Sequence, residues 1–346
     1  MNRKTIYIRA AEQISIQQPL SESWMESPVL TAEPLAYAQN PNFRDFIPAN
    51  EVRRMGNIMK RALVTTLKVL HESQTEHPDA IITGTSIGSL DYTERFLDAM
   101  TENGEETLSP TYFMQSTHNT VSSALGIYTK THGYNCTYSH GEMSFDLALL
   151  DGWMQLQLGK ISTALVGGHD EMVDTYFSLL QKKGFVGLPG MVACGEVAVS
   201  VLLTDSPHED ALCQFSGIRT GQCQHVHRLQ EHLESLLRDG GMTRQDLSAI
   251  VVGTNGSKEH DAVYQQLLSA LSLSHLPLIQ YKHVFGENFT ASAFGLYAAA
   301  HCLERQFIPN FLYHPDTPSK TGNLQNLLLV NQMHGEDVSL TLLKRI

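Results

Sequence analysis

The chain has 346 residues, of which 42% are apolar and 17% are charged, and its net charge at neutral pH is −12. This composition excludes a disordered chain, and the length is enough for roughly two domain-sized units with large buried sheets. The acidic balance argues against a nucleic-acid surface, and the five scattered cysteines indicate a reducing compartment rather than a disulfide framework.

The start of the sequence indicates neither secretion nor membrane insertion. Arg3 and Lys4 are not followed by the apolar run that a signal peptide carries. The sequence contains no stretch of about 18 consecutive apolar residues, so no transmembrane helix is expected. The expectation is therefore a cytoplasmic protein that does not insert into a membrane.

Two distant segments predict the same local structure. Residues 80–86 read AIITGTS and residues 249–255 read AIVVGTN, and each is an apolar, β-branched strand that runs into a glycine turn. Each segment follows a predicted helix, over 55–73 in the first case and 226–238 in the second. The repeat predicts two similar α/β halves, and a chance match between two buried strands is the alternative.

Further elements are predicted between and after these two copies. Near-continuous apolar runs are typical of strands that are covered on both faces. The polar, proline-containing stretch after residue 205 predicts the boundary between an N-terminal half, 1–205, and a C-terminal half, 206–346. The additional predicted elements are, in chain order, helix 145–159, strand 163–166, strand 196–203, helix 291–305, strand 327–330 and strand 338–343.

Six short motifs occur in a fixed order over most of the chain. Each of them alone is a weak signal, but their order and spacing together are specific. The motifs are GTSIGS from Gly84, SPTYF from Ser109, VGGHDE from Val166, CGEVA from Cys194, a lysine and a glycine at Lys282 and Gly286, and VNQM from Val330.

This set of motifs resembles that of the β-ketoacyl synthases of the thiolase superfamily. The resemblance implies an α/β, thiolase-like fold of duplicated βαβαβαββ halves in five layers, α-β-α-β-α, which usually dimerises. The chain looks shorter than a typical synthase, with a compressed stretch between Glu171 and Gly195. The resemblance also assigns structural turns to a set of residues, which are Gly84, Gly88, Gly167, Gly168, Gly195, Gly286 and Asn331.

The catalytic positions are where the chain departs from that family. A ketosynthase needs a thiolate nucleophile at the start of a buried helix, together with two basic groups, usually histidines. Counting from Asn135, the nucleophile position is occupied by Glu142, which forms no thioester but suits a helix N-terminus. The first histidine position falls at Asn255, or at Gly253 or Thr254 if the alignment gap before it differs in length.

The second histidine position is occupied by Glu287, whereas the family lysine is retained as Lys282. His260 lies near the first histidine position but is assigned to a pair with Asp261 instead. Glu142 and Glu287 are expected to lie in one pocket. An alternative role for this pair is to bind a metal ion or to share a proton. Two carboxylates alone specify little, so neither a metal nor another cofactor is predicted.

Residues next to Glu142 offer weak substitutes for the missing groups. Cys136 is expected to be an inert, packed thiol on a strand. His140 is expected to bond a backbone carbonyl or to lie at a subunit contact, and the adjacent Ser139 points to the opposite face of the backbone. A register shift of two residues would place His140 at the catalytic position, but the spacing from Asn119 argues against that shift.

A ketosynthase scaffold without its catalytic groups resembles the chain-length factors of type II polyketide and aryl-polyene-type pathways, where a glutamine commonly replaces the cysteine. The resemblance implies a heterodimer with an active β-ketoacyl-ACP synthase that elongates an acyl chain on an acyl carrier protein. Tyr112, Phe113 and Met114 would line the acyl tunnel at the subunit interface, and ordinary core packing is the alternative for Phe113 and Met114.

Two other functions remain open at this point. One is residual enzyme activity, such as decarboxylation of malonyl-ACP, which needs no nucleophilic cysteine but depends on the histidines to stabilise a carbanion. The other is a homodimeric, acyl-binding scaffold protein. The sequence leaves open whether the chain is an enzyme, and the expectation is that it is inactive alone.

Overall fold

The computed structural model describes residues 3–105, 108–317 and 322–346. Ten strands lie within these ranges, and all belong to one hydrogen-bonded sheet system. The strands are β1 (Ile6–Ile14), β2 (Ala80–Gly84), β3 (Tyr134–Tyr138), β4 (Thr163–Asp170), β5 (Val197–Thr204), β6 (Cys213–Gln222), β7 (Ala249–Val252), β8 (Leu278–Gln280), β9 (Asn326–Met333) and β10 (Asp337–Lys344).

Helices connect most of these strands. Within the described ranges, no helix combines the length and the apolar character needed to cross a bilayer. The helices are α1 (Ala49–Val52), α2 (Asn57–Glu72), α3 (Leu90–Asn103), α4 (Pro110–Ser116), α5 (Thr120–Tyr128), α6 (Ser144–Gln157), α7 (Asp174–Lys182), α8 (Val226–Asp239), α9 (Lys258–Ala270), α10 (Lys282–Phe285) and α11 (Ser292–Arg305).

The order of the strands shows the duplication. The first half has the order β3-β2-β4-β5-β1, and the second half, taken from the other end of the sheet, has the equivalent order β8-β7-β9-β10-β6. In each half three strands are parallel and the remaining pairings are antiparallel. The predicted repeat corresponds to the equivalent strands β2 and β7, and the duplicated fold is confirmed. The boundary predicted after residue 205 falls between β5 and β6 and stays a prediction.

The two halves meet through β1 and β6. These strands pair over a short antiparallel stretch, from Ile6 opposite Phe215 to Ile8 opposite Cys213. Helices α6 and α11 contact each other and pack on both halves of the sheet system, whereas α2 and α5 cover the outer face of the first half and α8 and α9 that of the second. The result is the five-layer arrangement predicted from the resemblance.

Alternation of side chains along each strand builds these layers, because successive residues point to opposite faces. In β7, Ala249 and Val251 belong to the central core between the two halves of the sheet. Ile250 and Val252 belong to the outer core beneath α8 and α9. Both faces of the strand are therefore buried, which explains why its sequence is a continuous apolar run.

Three strands, β1, β6 and β8, were not predicted. Strand β1 carries polar residues that are nevertheless buried, among them Arg9 and Glu12. Arg9 is compensated by an ion pair with Asp210 at 2.5 Å. Buried polar residues interrupt the apolar pattern on which a strand prediction depends, and β8 is only three residues long.

A buried carboxylate fixes α6 relative to the second half. Asp146 accepts hydrogen bonds from Ser292 on α11, Asn331 on β9 and Ser339 on β10. Since α6 begins at Ser144, two residues after Glu142, this network also fixes the position of Glu142.

Candidate functional site

Glu142 lies just before the first residue of α6, beside a cavity of about 680 Å³ that it helps to line. Its backbone is held in place by Asn331, whose Nδ2 donates to the Glu142 carbonyl at 3.0 Å. The turn before the helix is closed by Ser144, whose Oγ accepts from the His140 amide at 2.8 Å and donates to the Gly141 carbonyl at 2.7 Å. The helix start therefore places the Glu142 side chain at the edge of the cavity.

Glu287 lines the same cavity but is engaged by protein donors. Lys282 Nζ and Asn255 Nδ2 donate to its Oε2 at 2.9 and 2.8 Å. The backbone of Glu287 pairs with Ala193 and Gly195, each through a hydrogen bond of 2.8 Å. Four of the residues predicted at the site, Glu142, Asn255, Lys282 and Glu287, thus lie in one region.

Two of the predicted turn glycines are required by their surroundings. A Cβ atom on Gly84 would lie 2.5 Å from the backbone nitrogen of Phe145, because the end of β2 meets the start of α6 there. Gly286 faces Gly195 and has a φ of +98°, a backbone conformation that residues with a side chain rarely adopt. Both glycines therefore allow backbone segments of the site to approach closely.

The turn assignments of Gly167, Gly168 and Asn331 are wrong. Gly167 and Gly168 lie inside β4, and Asn331 lies inside β9. Gly168 leaves room for α11, because a Cβ atom there would lie 2.8 Å from Cβ of Ala293. Asn331 instead contributes its side-chain donor to Glu142 and Asp146. Gly88 lies in the turn before α3, with a φ of +61°.

His260 was assigned to a pair with Asp261 rather than to the catalytic position, and the structure also brings it to the cavity beside Glu142. It lies in the first turn of α9, lines the cavity, and brings its Nε2 to 3.8 Å from Oε2 of Glu142. The predicted pair with Asp261 is present, with 3.4 Å between Nδ1 and Oδ1. The Asp261 carboxylate is in turn oriented by the backbone amides of Asn255 and Gly256. One imidazole therefore contacts Asp261 and faces Glu142.

His334 is a site residue that the sequence analysis missed. It lies in the turn between β9 and β10 with a φ of +50°, lines the cavity, and places its Nε2 3.8 Å from Oε1 of Glu142. Its ring also contacts Phe185, with 6.1 Å between the centroids. The only sequence signal near His334 was Gly335, directly after the last motif. A glycine there indicates a turn but does not indicate a functional site.

The surrounding cations determine the charge of Glu142. Burial raises the pKa of its carboxyl group, but the interactions with His260, Lys282 and His334 outweigh burial and hold the pKa below its usual value. Burial lowers the pKa of His260, but Asp261 and Glu142 outweigh it and raise the pKa above its usual value. Glu142 is therefore an anion at neutral pH, and it faces an imidazole that holds its proton more firmly than usual.

The cysteine in the cavity wall is not a nucleophile. Cys194 lines the cavity, but burial and the charge of Glu287 raise the pKa of its thiol to about 12. A protonated, buried thiol is unreactive at neutral pH. Cys136 lies half-buried on β3 and does not line the cavity.

His140 lies outside the cavity. Its Nε2 is 3.0 Å from Oδ2 of Asp337, at the start of β10. Its observed partner is therefore a carboxylate of the same chain and not a backbone carbonyl, and the alternative expectation of a subunit contact stays a prediction. Since Glu142 lines the cavity and His140 does not, the geometry agrees with the register that places Glu142 at the nucleophile position.

The residues predicted to line an acyl tunnel lie on α4. Phe113 and Met114 are 57% and 61% exposed, so the alternative of core packing is wrong for both. The rings of Tyr112 and Phe113 contact Tyr92 and Phe96 of α3, with centroids 6.1 and 5.7 Å apart. None of the three lines the cavity beside Glu142, and their place in a tunnel between subunits stays a prediction.

Potential metal ligands cluster elsewhere. Among the described residues, Glu22, His301 and Glu304 bring three ligand atoms within 4.8 Å of one another. Glu22 is already paired with Arg305 at 2.9 Å. The cavity residues do not form a group of this kind within the described part of the chain.

Several solved structures share this fold over their whole length. The ishigamide ketosynthase/chain length factor has a TM-score of 0.82 and 16% identity, with 99% of this chain and 100% of that chain covered. A β-ketoacyl synthase from Burkholderia phymatum STM815 has a TM-score of 0.81 and 13% identity, with 99% and 100% covered. The ketosynthase ApeO in complex with its chain length factor ApeC, from Xenorhabdus doucetiae, has a TM-score of 0.75 and 14% identity, with 99% and 98% covered.

Sequence comparison shows the family. No curated protein matches the sequence. The family model described as the beta-ketoacyl synthase N-terminal domain matches residues 22–249, which is more than half of the chain. The match covers the motifs from Gly84 to Cys194 and includes Glu142. The chain belongs to the beta-ketoacyl synthase family.

Proposed function

We propose that this chain is a non-condensing, ketosynthase-like subunit of the chain-length-factor type. It pairs with an active β-ketoacyl-ACP synthase and supports elongation of an acyl chain on an acyl carrier protein, in fatty-acid or polyketide-type synthesis. The observation that carries the proposal is the anionic Glu142 at the start of α6, where the resemblance places the nucleophile. Two of the structures with the same fold are described as a ketosynthase with a chain length factor.

The chemistry of Glu142 supports a non-condensing role. A thiolate exchanges with an acyl thioester at little cost, because thioester replaces thioester. A carboxylate that attacked the same thioester would form an anhydride, which is a stronger acyl donor, so the acyl group would return to the carrier. The protonated Cys194 does not replace the missing thiolate.

An apolar surface around the edge strand β3 supports a partner chain. Strand β3 ends the sheet system, and no described strand pairs with its outer edge. We define the β3 edge surface by five exposed apolar residues on α4, α5, β3 and α6, of which Ile127 is 81% exposed. An unpaired edge with large exposed apolar side chains is typical of a surface that another chain covers. The residues of the β3 edge surface are Phe113, Met114, Ile127, Tyr134 and Met154.

Reconstitution with an active ketosynthase tests the proposal. A ketosynthase from the same cell is assayed with malonyl-loaded carrier protein, with and without this chain, and the products are measured by mass spectrometry. The expected result is a copurifying complex in which this chain raises the yield or changes the length of the products. A ketosynthase whose products stay the same in yield and length when this chain is added would contradict the proposal.

Decarboxylation of a malonyl thioester is a second candidate, because His260 and His334 flank Glu142 at 3.8 Å. Imidazole donors can stabilise the enolate that forms when carbon dioxide leaves. The negative charge of Glu142 opposes this reaction, since it repels both the malonyl carboxylate and the enolate. Release of carbon dioxide from malonyl-ACP by the chain alone, abolished in His260→Asn, would favour decarboxylation over the silent subunit.

A further inference from the structure

The two carboxylates of the cavity differ in how the protein satisfies them. Glu287 accepts hydrogen bonds from Lys282 and Asn255. Glu142 faces His260 and His334 across 3.8 Å on both sides, which is beyond hydrogen-bond distance. The Glu142 carboxylate thus has nearby positive charge but lacks a donor from any described side chain.

Buried polar atoms of residues that line this cavity lack partners. Oε2 of Glu142, Nε2 of His260 and Nε2 of Gln332 are buried without a hydrogen bond among the described residues. All three residues line the cavity. Buried polar groups are normally paired, so three unpaired atoms among residues that line one cavity indicate that the protein alone does not complete this site.

The rest of the cavity wall is mainly apolar. Because Oε2 of Glu142 is buried, the 15% of this side chain that stays exposed belongs to its other atoms. The volume of about 680 Å³ is in the range of pockets that enclose a small organic molecule. The apolar lining residues include Met172, Tyr176, Leu180, Phe185, Val186 and Phe289.

We propose that this cavity is a non-covalent binding site for a neutral amphiphile, an apolar carbon chain that ends in a hydroxyl group. The hydroxyl lies between Oε1 of Glu142 and Nε2 of His334, and the carbon chain lies along the apolar wall. The site is formed by this chain alone, so the inference does not depend on the partner or on the proposed function.

The geometry between Glu142 and His334 selects a hydroxyl group. An oxygen about 2.8 Å from each of two atoms that are 3.8 Å apart completes both hydrogen bonds. It donates its proton to the Glu142 carboxylate and accepts one from the imidazole, and a hydroxyl does both. An ether oxygen lacks the proton that Glu142 needs.

The charges of the site select a neutral head group. A carboxylate head would meet the anionic Glu142 in a partly buried place, and repulsion would oppose its binding. An ammonium head would add a positive charge beside Lys282 and beside the imidazole of His260, whose pKa is raised. A hydroxyl leaves the balance of charge unchanged.

Calorimetric titration of the purified chain with four ligands of equal chain length tests the head group. The ligands are 1-octanol, its isomer 1-methoxyheptane, octanoate and octylamine. We expect 1-octanol to bind about tenfold more tightly than the ether, because one donated hydrogen bond to an ionised group is lost. Equal affinities for the alcohol and the ether, stronger binding of octanoate or octylamine, or no binding of 1-octanol would each overturn the proposal.

Two pairs of variants test the location. Glu142→Gln replaces the anionic acceptor by a neutral amide and is expected to remove most of the preference for the alcohol, whereas Glu209→Gln, at an exposed residue outside the cavity, is expected to keep it. Leu180→Trp narrows the cavity and is expected to weaken the binding of the alcohol and of the ether alike. Leu179→Trp changes the exposed neighbouring residue and is expected to leave both affinities unchanged. An unchanged preference in Glu142→Gln, or equal affinities in the two tryptophan variants, would place the ligand elsewhere and overturn the proposal.

Discussion

Oε2 of Glu142 and Nε2 of His260 face each other at 3.8 Å, although the two residues belong to different halves of the chain. The distance is too long for a hydrogen bond but short enough for strong interaction between charges in a partly buried place. The pair brings a negative charge to the start of α6 and keeps a base beside it, without a thiol.

The first prediction concerns the titration of His260. Asp261 and Glu142 raise the pKa of its imidazole, so Glu142→Gln is expected to lower this pKa. NMR of the histidine ring protons against pH measures it, with His260→Asn to assign the signal. An unshifted His260 signal would show that Glu142 does not interact with it.

The second prediction follows from the sign of these pKa shifts. Because folding raises the pKa of His260, its contribution to stability is fully present below the pKa of the unfolded state, about 6.5, and is lost as the pH rises through the folded value. Folding lowers the pKa of Glu142, so its contribution is present above about 4.5 and is lost as the pH falls through the folded value. Wild type is therefore expected to exceed His260→Asn in melting temperature by more at pH 5.5 than at pH 8.5. Thermal unfolding followed by circular dichroism checks it, and a constant difference would contradict it.

The third prediction concerns covalent chemistry. The wild-type chain, incubated with acyl-loaded carrier protein, is expected to keep its mass, because Glu142 forms no stable acyl bond and the Cys194 thiol stays protonated. Glu142→Cys places a thiol at the start of α6 beside His260 and is expected to gain an acyl group. Intact-mass spectrometry measures both, and Glu142→Ser is a control with a weaker nucleophile. An acyl adduct on the wild type would mean that another residue is reactive.

The fourth prediction concerns the network around Asp146. Asp146→Ala removes the acceptor for Ser292, Asn331 and Ser339 and leaves buried donors unpaired. The free energy of unfolding is expected to fall by about 3 kcal/mol. Urea unfolding measures it, and Asp98→Ala, at an exposed position on α3, is expected to change stability by less than about 0.5 kcal/mol. Equal losses in the two variants would show that the network does not stabilise the fold.

The fifth prediction concerns the β3 edge surface. Ile127→Glu places a charge at its most exposed residue and is expected to abolish association with the ketosynthase partner without unfolding the chain. Copurification of the two proteins measures it. Phe307→Glu, at an exposed apolar residue that follows α11, is the matched control and is expected to keep the complex. If Ile127→Glu copurifies as well as the control, the partner binds elsewhere.

Much of the fold was predictable from local patterns. Strands β2 and β7 were predicted because both of their faces are buried, so each is a continuous apolar run. Strand β1 was missed because its buried positions include the charged residues Arg9 and Glu12, and the ion-pair partner of Arg9, Asp210, is distant in sequence. Gly167 and Gly168 were assigned to a turn, although both lie in β4, since glycine in a strand allows close packing as well as turning.

The sequence by itself determined the order of the motifs, the duplication of the fold and the position of Glu142 directly before α6, because these depend on neighbours along the chain. Only the tertiary structure decided that His260 and His334 flank Glu142. His260 begins α9 and His334 lies in the turn after β9, and both reach Glu142 because α6 packs between the two halves. Proximity of this kind depends on how the layers pack together, and no local pattern of residues encodes it.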